Sequence, residues 1–212
     1  MLRPAPGADR TIAALAATGL VATALPLFAV RPVAWAVPAG GYDAVVLTSA
    51  NAVRHAGPGL AALDLPVLAV GQATAAAAAE AGLAVAATGE GDVAALLDAY
   101  GQRYPRLLHL AGRDRSADPR LIAVTVYVAD PLGVTAAALA VLDGGVVLAH
   151  SPRAACRLRA VMAAHALGCA DMRLAALSVA VATAAGTGWG AVAVADRPTD
   201  AAIVAAARRL AD

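Results

Sequence analysis

The chain has 212 residues, a formal net charge of +1, 60% hydrophobic residues and 3% aromatic residues. Its length allows one or two domains, and its composition is not that of a disordered chain. The near-neutral charge argues against a nucleic-acid-binding surface. All 16 basic side chains are arginine, so catalysis through a lysine Schiff base or a P-loop lysine is excluded.

Two uncharged runs, residues 11–30 and 174–195, have the length of a membrane span. Both contain threonine and glycine, and alanine makes up roughly 30% of the chain, which raises hydropathy while favouring helix. We therefore predict that each run is a helix and a strand joined by a turn, in a protein that does not enter a membrane. Asp9 interrupts the basic region that a signal peptide needs, so none is expected.

Short apolar runs alternate along the chain with alanine-rich helical stretches. Strands are predicted at residues 45–47, 67–70, 107–110, 124–128, 146–148, 174–177 and 192–195, after a short first strand near Leu2 and another ending at Phe28. Helices are predicted at residues 9–18, 50–56, 74–81, 92–100, 153–167 and 199–210, with Asp9, Thr74, Asp92 and Thr199 as N-caps. Gly19 and Gly82 are predicted to end their helices. Continuous apolar strands between helices indicate an α/β fold of parallel sheets covered on both faces.

The chain contains an internal repeat. Residues 43–100 and 144–210 run through the same order of strand, hydroxyl-bearing loop and helix, with Ser49 matching Ser151. The repeat predicts two similar doubly wound α/β lobes, flavodoxin-like or Rossmann-like, with a cleft between them. One lobe is predicted to be discontinuous, residues 1–31 plus 130–212, and the other to be inserted, residues 32–129. The alternating run 124–128 predicts one strand of a two-stranded β hinge.

Ligands of parallel sheets bind at the carboxyl ends of the strands. The loops 48–51, 71–74, 111–115, 150–153 and 178–180 follow predicted strands, and several carry a hydroxyl beside a helix N-terminus, where anions bind. Arg113 and Arg115 offer bidentate bonds to carboxylate or phosphate, although a solvated turn is an equal alternative. The cysteines Cys156 and Cys169 lack metal or redox spacing and favour a reducing, cytoplasmic setting. The four histidines show no metal-ligand spacing, so no metal is expected.

Several segments resemble uroporphyrinogen-III synthases, in order, over nearly the whole chain. They are residues 42–54 (YDAVVLTSANAVR), 70–75 (VGQATA), 3–4, 111–114, 126–127, 150–153 (HSPR) and 196–199. The resemblance implies two α/β lobes joined by a β ladder, and a cofactor-free lyase. Such an enzyme closes linear hydroxymethylbilane with loss of water and inversion of its last ring, giving uroporphyrinogen III for tetrapyrrole biosynthesis (haem, sirohaem, cobalamin or chlorophyll). It also implies a small polycarboxylate substrate as partner, a cytoplasmic monomer, and catalysis mainly by positioning.

The resemblance also suggests site residues. Tyr127 is the expected general acid, with an ordinary hinge tyrosine as the alternative. The expected substrate-binding residues are Arg3, Thr48, Ser49, Asn51, Gly71, Gln72, Thr74, Gly112, Arg113, Ser151, Pro152 and Ser178. The chain departs from the family pattern at residues 178–181 (SVAV), where one expected hydroxyl is missing. Two alternatives stay open: a bilobal binding protein for an anionic small molecule, and a non-catalytic relative of the synthase.

Overall fold

The computed structural model of the protein describes residues 1–211. Its helices are α1 (Gly7–Ala16), α2 (Ala50–His55), α3 (Pro58–Ala61), α4 (Gln72–Glu80), α5 (Val93–Tyr100), α6 (Ala136–Leu139), α7 (Pro152–Ala164), α8 (Val179–Ala185) and α9 (Asp200–Ala211). Its strands are β1 (Phe28–Pro32), β2 (Ala44–Leu47), β3 (Val67–Ala69), β4 (Val85–Thr88), β5 (Leu107–Gly112), β6 (Leu121–Pro131), β7 (Val146–Ala149), β8 (Arg173–Ala176) and β9 (Ala191–Val194). This is the α/β fold with two parallel sheets that the sequence predicted.

The chain divides into two compact units. The continuous unit is Val30–Asp130, and the split unit combines Met1–Ala29 with the chain from Pro131 onward. The separate folding of two lobes, with the boundaries given above, stays a prediction.

The continuous unit contains most of a six-stranded sheet with the order β1-β6-β5-β2-β3-β4. Strands β6, β5, β2, β3 and β4 run parallel to their neighbours. In β2, Val45 and Leu47 pack with α2 and α4, whereas Ala44 and Val46 pack with α5 on the other face. Because both faces are buried, the strand needs apolar residues at every position, which explains its unbroken run. Each fully buried valine or leucine contributes about 1.5–3 kcal/mol.

The split unit contains the parallel sheet β7-β8-β9. Helices α1 and α9 cover one face, where Leu15 and Ile203 pack against Leu148. Helix α7 contacts β7, helix α8 contacts β8, and the two helices pack against each other. The uncharged run 174–195 therefore contains a strand, a helix and a second strand, with Ser178 before the helix and Gly186, Gly188 and Gly190 after it. Within residues 1–211, every helix is too short or too polar to span a bilayer.

Strands β1 and β6 pair with each other, and both boundaries between the units fall within or beside them. The Val33 amide donates to Val126 O, and the Leu132 amide donates to Leu27 O. Since the partner numbers rise in one strand as they fall in the other, the pair is antiparallel. This is the two-stranded connection predicted from residues 124–128, and β6 is longer than that run.

Some predicted boundaries are wrong. Residues 1–2 form no strand, because this segment is too short for a ladder, although the Leu2 amide donates to Leu148 O of β7. The next strand starts at Phe28 instead of ending there. Asp9 lies inside α1, which Pro6 precedes as N-cap. The sequence pattern does not predict strand β4, whose residues Val85–Thr88 are mostly alanine and threonine and form no run of large apolar side chains. It also does not predict the one-turn helices α3 and α6, which span four residues each.

The helix-cap predictions hold at several other positions. The Asp92 carboxylate accepts a hydrogen bond from the Ala94 amide at 2.9 Å, and the Thr199 hydroxyl accepts one from Ala202 at 3.3 Å. Gly82 follows α4 with a φ of +76°, a conformation that costs other residues energy. These local signals were sufficient because an N-cap side chain bonds amides only two or three residues further along the chain.

Candidate functional site

The carboxyl ends of β2, β3 and β5 lie side by side, because these strands pair in parallel. The loops that follow them carry the predicted site residues of the continuous unit, at residues 48–51, 71–74 and 112–115. Parallel sheets bind ligands at this edge.

After β2, Ser49 is the N-cap of α2 and its hydroxyl oxygen accepts from the Asn51 amide at 3.2 Å. A capped serine still has its hydroxyl proton to donate to an anion. Asn51 Oδ1 accepts a hydrogen bond from Arg54, which lies in the same helix α2. This bond directs the Asn51 side chain along α2. The half-buried Thr48 hydroxyl lies 3.0 Å from Nε2 of His109.

After β3, Gly71 is the N-cap of α4, and its carbonyl accepts from the amides of Thr74 and Ala75. Gln72 is exposed. Thr74 is 5% exposed and lies in the first turn of the helix, so the prediction that Thr74 is the N-cap is wrong. Gly71 neighbours Gly91 of the next loop, and a Cβ at Gly71 would make an ordinary van der Waals contact of 3.9 Å with Gly91 Cα.

After β5, Gly112 lies directly under the ring of Tyr127. The register between β5 and β6 shifts at Ala111 and Gly112, so Gly112 pairs with Tyr127. A Cβ at Gly112 would lie 2.8 Å from Tyr127 Cζ and 3.0 Å from its hydroxyl oxygen. The His55 ring also lies near Tyr127, with ring centroids 6.1 Å apart. The phenol therefore packs over Gly112 and beside His55 at the carboxyl end of β5.

The two arginines of this loop bind protein groups. Arg113 forms an ion pair with Asp130 at 3.1 Å, and Arg31 bonds the same carboxylate at 2.8 Å. These two guanidinium groups, with the Arg31 bond foremost, hold the pKa of Asp130 below its usual range. Arg115 donates to Gly112 O and to the Thr125 hydroxyl.

In the split unit, Ser151 and Ser178 follow β7 and β8 as the N-caps of α7 and α8. Their hydroxyl oxygens accept from Ala154 at 3.2 Å and from Val181 at 3.4 Å. Pro152 occupies the first position of α7, where a missing N–H costs nothing. The match of Ser49 with Ser151 in the internal repeat is therefore also a match in structure.

Arg3 belongs to an ion-pair cluster beside this edge. Its guanidinium contacts Asp200 at 2.7 Å, and His150 Nε2 lies 3.5 Å from the same carboxylate. The contact with His150 and the charge of Arg3 lower the pKa of Asp200. Burial lowers the pKa of His150, so this imidazole is neutral near pH 7. Among residues 1–211, neither His150 nitrogen has a hydrogen-bond partner.

His109 is not among the site residues predicted from the sequence. It is 3% exposed in the middle of the buried strand β5, and burial lowers its pKa to about 4. A histidine inside an apolar run was the available signal, but only the fold reveals that Thr48 is its neighbour.

These groups share one chemical character. Hydroxyls, helix-terminal amides and one phenol are donors suited to carboxylates and to a departing hydroxyl, without a strong nucleophile. Within residues 1–211, no three His, Cys, Asp or Glu side chains gather as metal ligands.

Comparisons with known proteins agree on one family. The family model described as Uroporphyrinogen-III synthase HemD matches residues 9–205. The uroporphyrinogen-III synthetase of Helicobacter pylori 26695 has a similar structure, with a TM-score of 0.65 at 14% identity, covering 88% of this chain and 92% of that one. At this identity the likeness shows a shared fold.

Two structures from Thermus thermophilus align over more of the chain with lower scores. The wild-type uroporphyrinogen III synthase has a TM-score of 0.41 at 18% identity, covering 98% of this chain and 94% of its own. A mutant form has a TM-score of 0.47 at 18% identity, covering 96% and 94%. Among curated proteins, none matches the sequence. Because the family model spans most of the sequence, the chain belongs to the uroporphyrinogen-III synthase HemD family, the cyclising lyases of tetrapyrrole biosynthesis.

Proposed function

We propose that the carboxyl-edge residues carry out the family's reaction, the closure of hydroxymethylbilane to uroporphyrinogen III, with Tyr127 as the general acid. The observation that supports this role is the Tyr127 phenol packed over Gly112, beside loops rich in hydrogen-bond donors. A phenol carries its proton at neutral pH and can donate it to a leaving hydroxyl.

The proposed steps conserve atoms. Tyr127 donates a proton as the C–O bond of the hydroxymethyl group breaks, and water leaves. The electron-poor carbon that remains is attacked by the substituted carbon of the last ring, giving a spiro intermediate. The bond between this carbon and the methylene bridge to the third ring then breaks. The methylene carbon is attacked by the free α-carbon of the inverted last ring, and this α-carbon loses its proton as the macrocycle closes, so the phenolate can recover its proton. The net change is the loss of one water.

The remaining predicted residues would bind the substrate's carboxylates. Ser49, Ser151 and Ser178 cap helices through their oxygen atoms, which leaves each hydroxyl proton for a substrate oxygen. Gly71 and Gly112 have no side chain, so at these positions a substrate would contact the backbone itself. The proposed substrate-binding set is completed by Arg3, Thr48, Asn51, Gln72, Thr74, Arg113 and Pro152. Arg113 and Arg3 would bind the substrate while each stays in its ion pair, with Asp130 and Asp200 respectively.

We also propose that the protein works in the cytoplasm as a monomer. Free cysteines support a reducing compartment, since Cys156 is exposed and unbridged. Sedimentation of the purified protein would measure its mass in solution.

A stereochemical product assay tests the function. Purified protein is mixed with hydroxymethylbilane, and the products are oxidised to porphyrins and separated as isomers. Type III is expected as the main product, whereas heat-inactivated protein gives the type I isomer of uncatalysed closure. Type I alone from the native protein would overturn the proposal, and substrate binding without turnover would favour a binding protein.

A further inference from the structure

Thr48 and His109 form a polar pair that links the buried sheet to its carboxyl edge. They lie 61 residues apart in the chain, and the parallel pairing of β2 with β5 brings them together. The Thr48 Oγ1 to His109 Nε2 distance is 3.0 Å, within hydrogen-bond range. His109 is 3% exposed, whereas Thr48 is half-buried. The histidine is therefore inaccessible, and the threonine is the member of the pair that a ligand can contact.

The surroundings of His109 keep the imidazole uncharged. Burial is the main cause of its low pKa, and the positive charge of Arg115 adds to it, while Asp118 opposes both. A neutral imidazole has one N–H donor and one acceptor nitrogen. The bond to Thr48 therefore has a direction that depends on which nitrogen carries the proton.

The two directions leave Thr48 with different chemistry. If Nε2 accepts, the threonine proton is used within the protein and Thr48 can offer a ligand only lone pairs. If Nε2–H donates, the threonine oxygen is occupied and the hydroxyl proton is available to a ligand. An ionised carboxylate accepts hydrogen bonds only, so it can bind Thr48 in the second case alone.

We propose that His109 is a positioning residue that donates its Nε2–H to Thr48 and so turns the Thr48 hydroxyl into a donor for a substrate carboxylate. The inference rests on the proposed function, because the polycarboxylate substrate supplies the acceptor. His109 lies behind the carboxyl-edge residues, touches no substrate and acts only through its hydrogen bond with Thr48.

Four variants measure the role of the pair: His109→Leu, His109→Gln, Thr48→Val and the double variant His109→Leu/Thr48→Val. Loss of one neutral hydrogen bond is expected to raise KM for hydroxymethylbilane about fivefold in His109→Leu, with kcat within about twofold. His109→Gln is expected to restore most of the affinity, because the glutamine amide can donate to Thr48. The double variant should match Thr48→Val, since the histidine acts only through the threonine.

A spectrum of the wild-type protein tests the donor directly. Nitrogen NMR of the labelled His109 ring at pH 7 should show Nε2 protonated and Nδ1 unprotonated. The opposite tautomer would overturn the inference even if His109→Leu failed to fold. A double variant with additive losses would also overturn it, as would His109→Gln with the same KM as His109→Leu.

Failure of the two proposals gives different results. Type III product from the wild type, together with unchanged KM in His109→Leu, refutes the role of His109 and leaves the function standing. Type I product alone refutes the function, and the ring-nitrogen spectrum then still decides the direction of the Thr48–His109 bond.

Discussion

At the scale of single residues, the position of one phenol depends on a neighbour with no side chain. The Tyr127 ring packs on Gly112 so closely that a Cβ at Gly112 would lie only 2.8 Å from Tyr127 Cζ, which is shorter than a van der Waals contact. The family resemblance pointed to both residues from the sequence. Their contact follows from the register shift between β5 and β6, which no local pattern announces.

We expect Tyr127→Phe to lower kcat severalfold without abolishing turnover, because the phenol proton is lost while the binding groups remain. Initial rates of type III formation measure this effect. Tyr104→Phe is the matched control, since Tyr104 packs under Arg103 away from the edge residues. Equal rates for the Tyr127 variant and the wild type would remove Tyr127 from catalysis.

We expect Gly112→Ala to lower kcat towards that of Tyr127→Phe, because the new methyl group must displace the Tyr127 ring. The ring is the movable partner, so the free energy of unfolding should change by only about 1 kcal/mol. Urea unfolding and product rates measure the two effects. Gly41→Ala is the control, as a Cβ there meets nothing within 4 Å. A fully active Gly112→Ala would show that the position of the phenol is unimportant.

At the scale of elements, the start of a helix was predictable where the residue with the capping side chain directly precedes the first helical residue. Asp92 and Ser151 satisfy this condition. Thr74 resembles a cap in sequence, yet α4 starts two residues earlier because the Gly71 carbonyl already accepts the first helical bonds. Capping chemistry alone could not distinguish these two starts.

We expect Asp92→Ala to destabilise the protein by about 1 kcal/mol, since the Ala94 amide loses its acceptor. Asp92→Asn keeps a side-chain oxygen, so its free energy of unfolding should stay within a few tenths of a kcal/mol of the wild-type value. Urea unfolding at pH 7 compares the three proteins. Equal losses in both variants would mean that the carboxylate charge, and not the cap bond, stabilises α5.

At the scale of the whole molecule, the buried histidine links stability to pH. The folded pKa of His109 is about 4, below the ordinary value of 6.5. Its stabilising contribution is therefore complete above pH 6.5 and is lost as the pH falls towards 4, because the unfolded chain binds the proton first. By pH 5 this loss amounts to about 2 kcal/mol.

We expect His109→Leu to lose less stability than wild type between pH 7 and pH 5. His55 and His150 also have lowered pKa values, but they titrate in both proteins, so the comparison isolates His109. Urea unfolding at several pH values measures the slopes. Parallel slopes would mean that His109 is protonated equally in the folded and unfolded states.

We expect residues 30–130 to fold when expressed alone, because this unit has its own sheet and buried clusters on both faces. Circular dichroism should show a single cooperative unfolding transition. A fragment that melts without cooperativity would show that the predicted inserted lobe depends on the rest of the chain.

The sequence by itself determined the α/β class, the parallel strands, the internal repeat and the family. These follow from apolar runs, caps and ordered motifs, all of which are local in the chain. Tertiary structure decided which residues meet: Thr48 with His109, Gly112 with Tyr127 and Arg113 with Asp130. The physical reason is that strand order and register join residues far apart in sequence. A one-residue slip would exchange the side chains on the two faces of a strand, and their packing against the helices on each face would be lost.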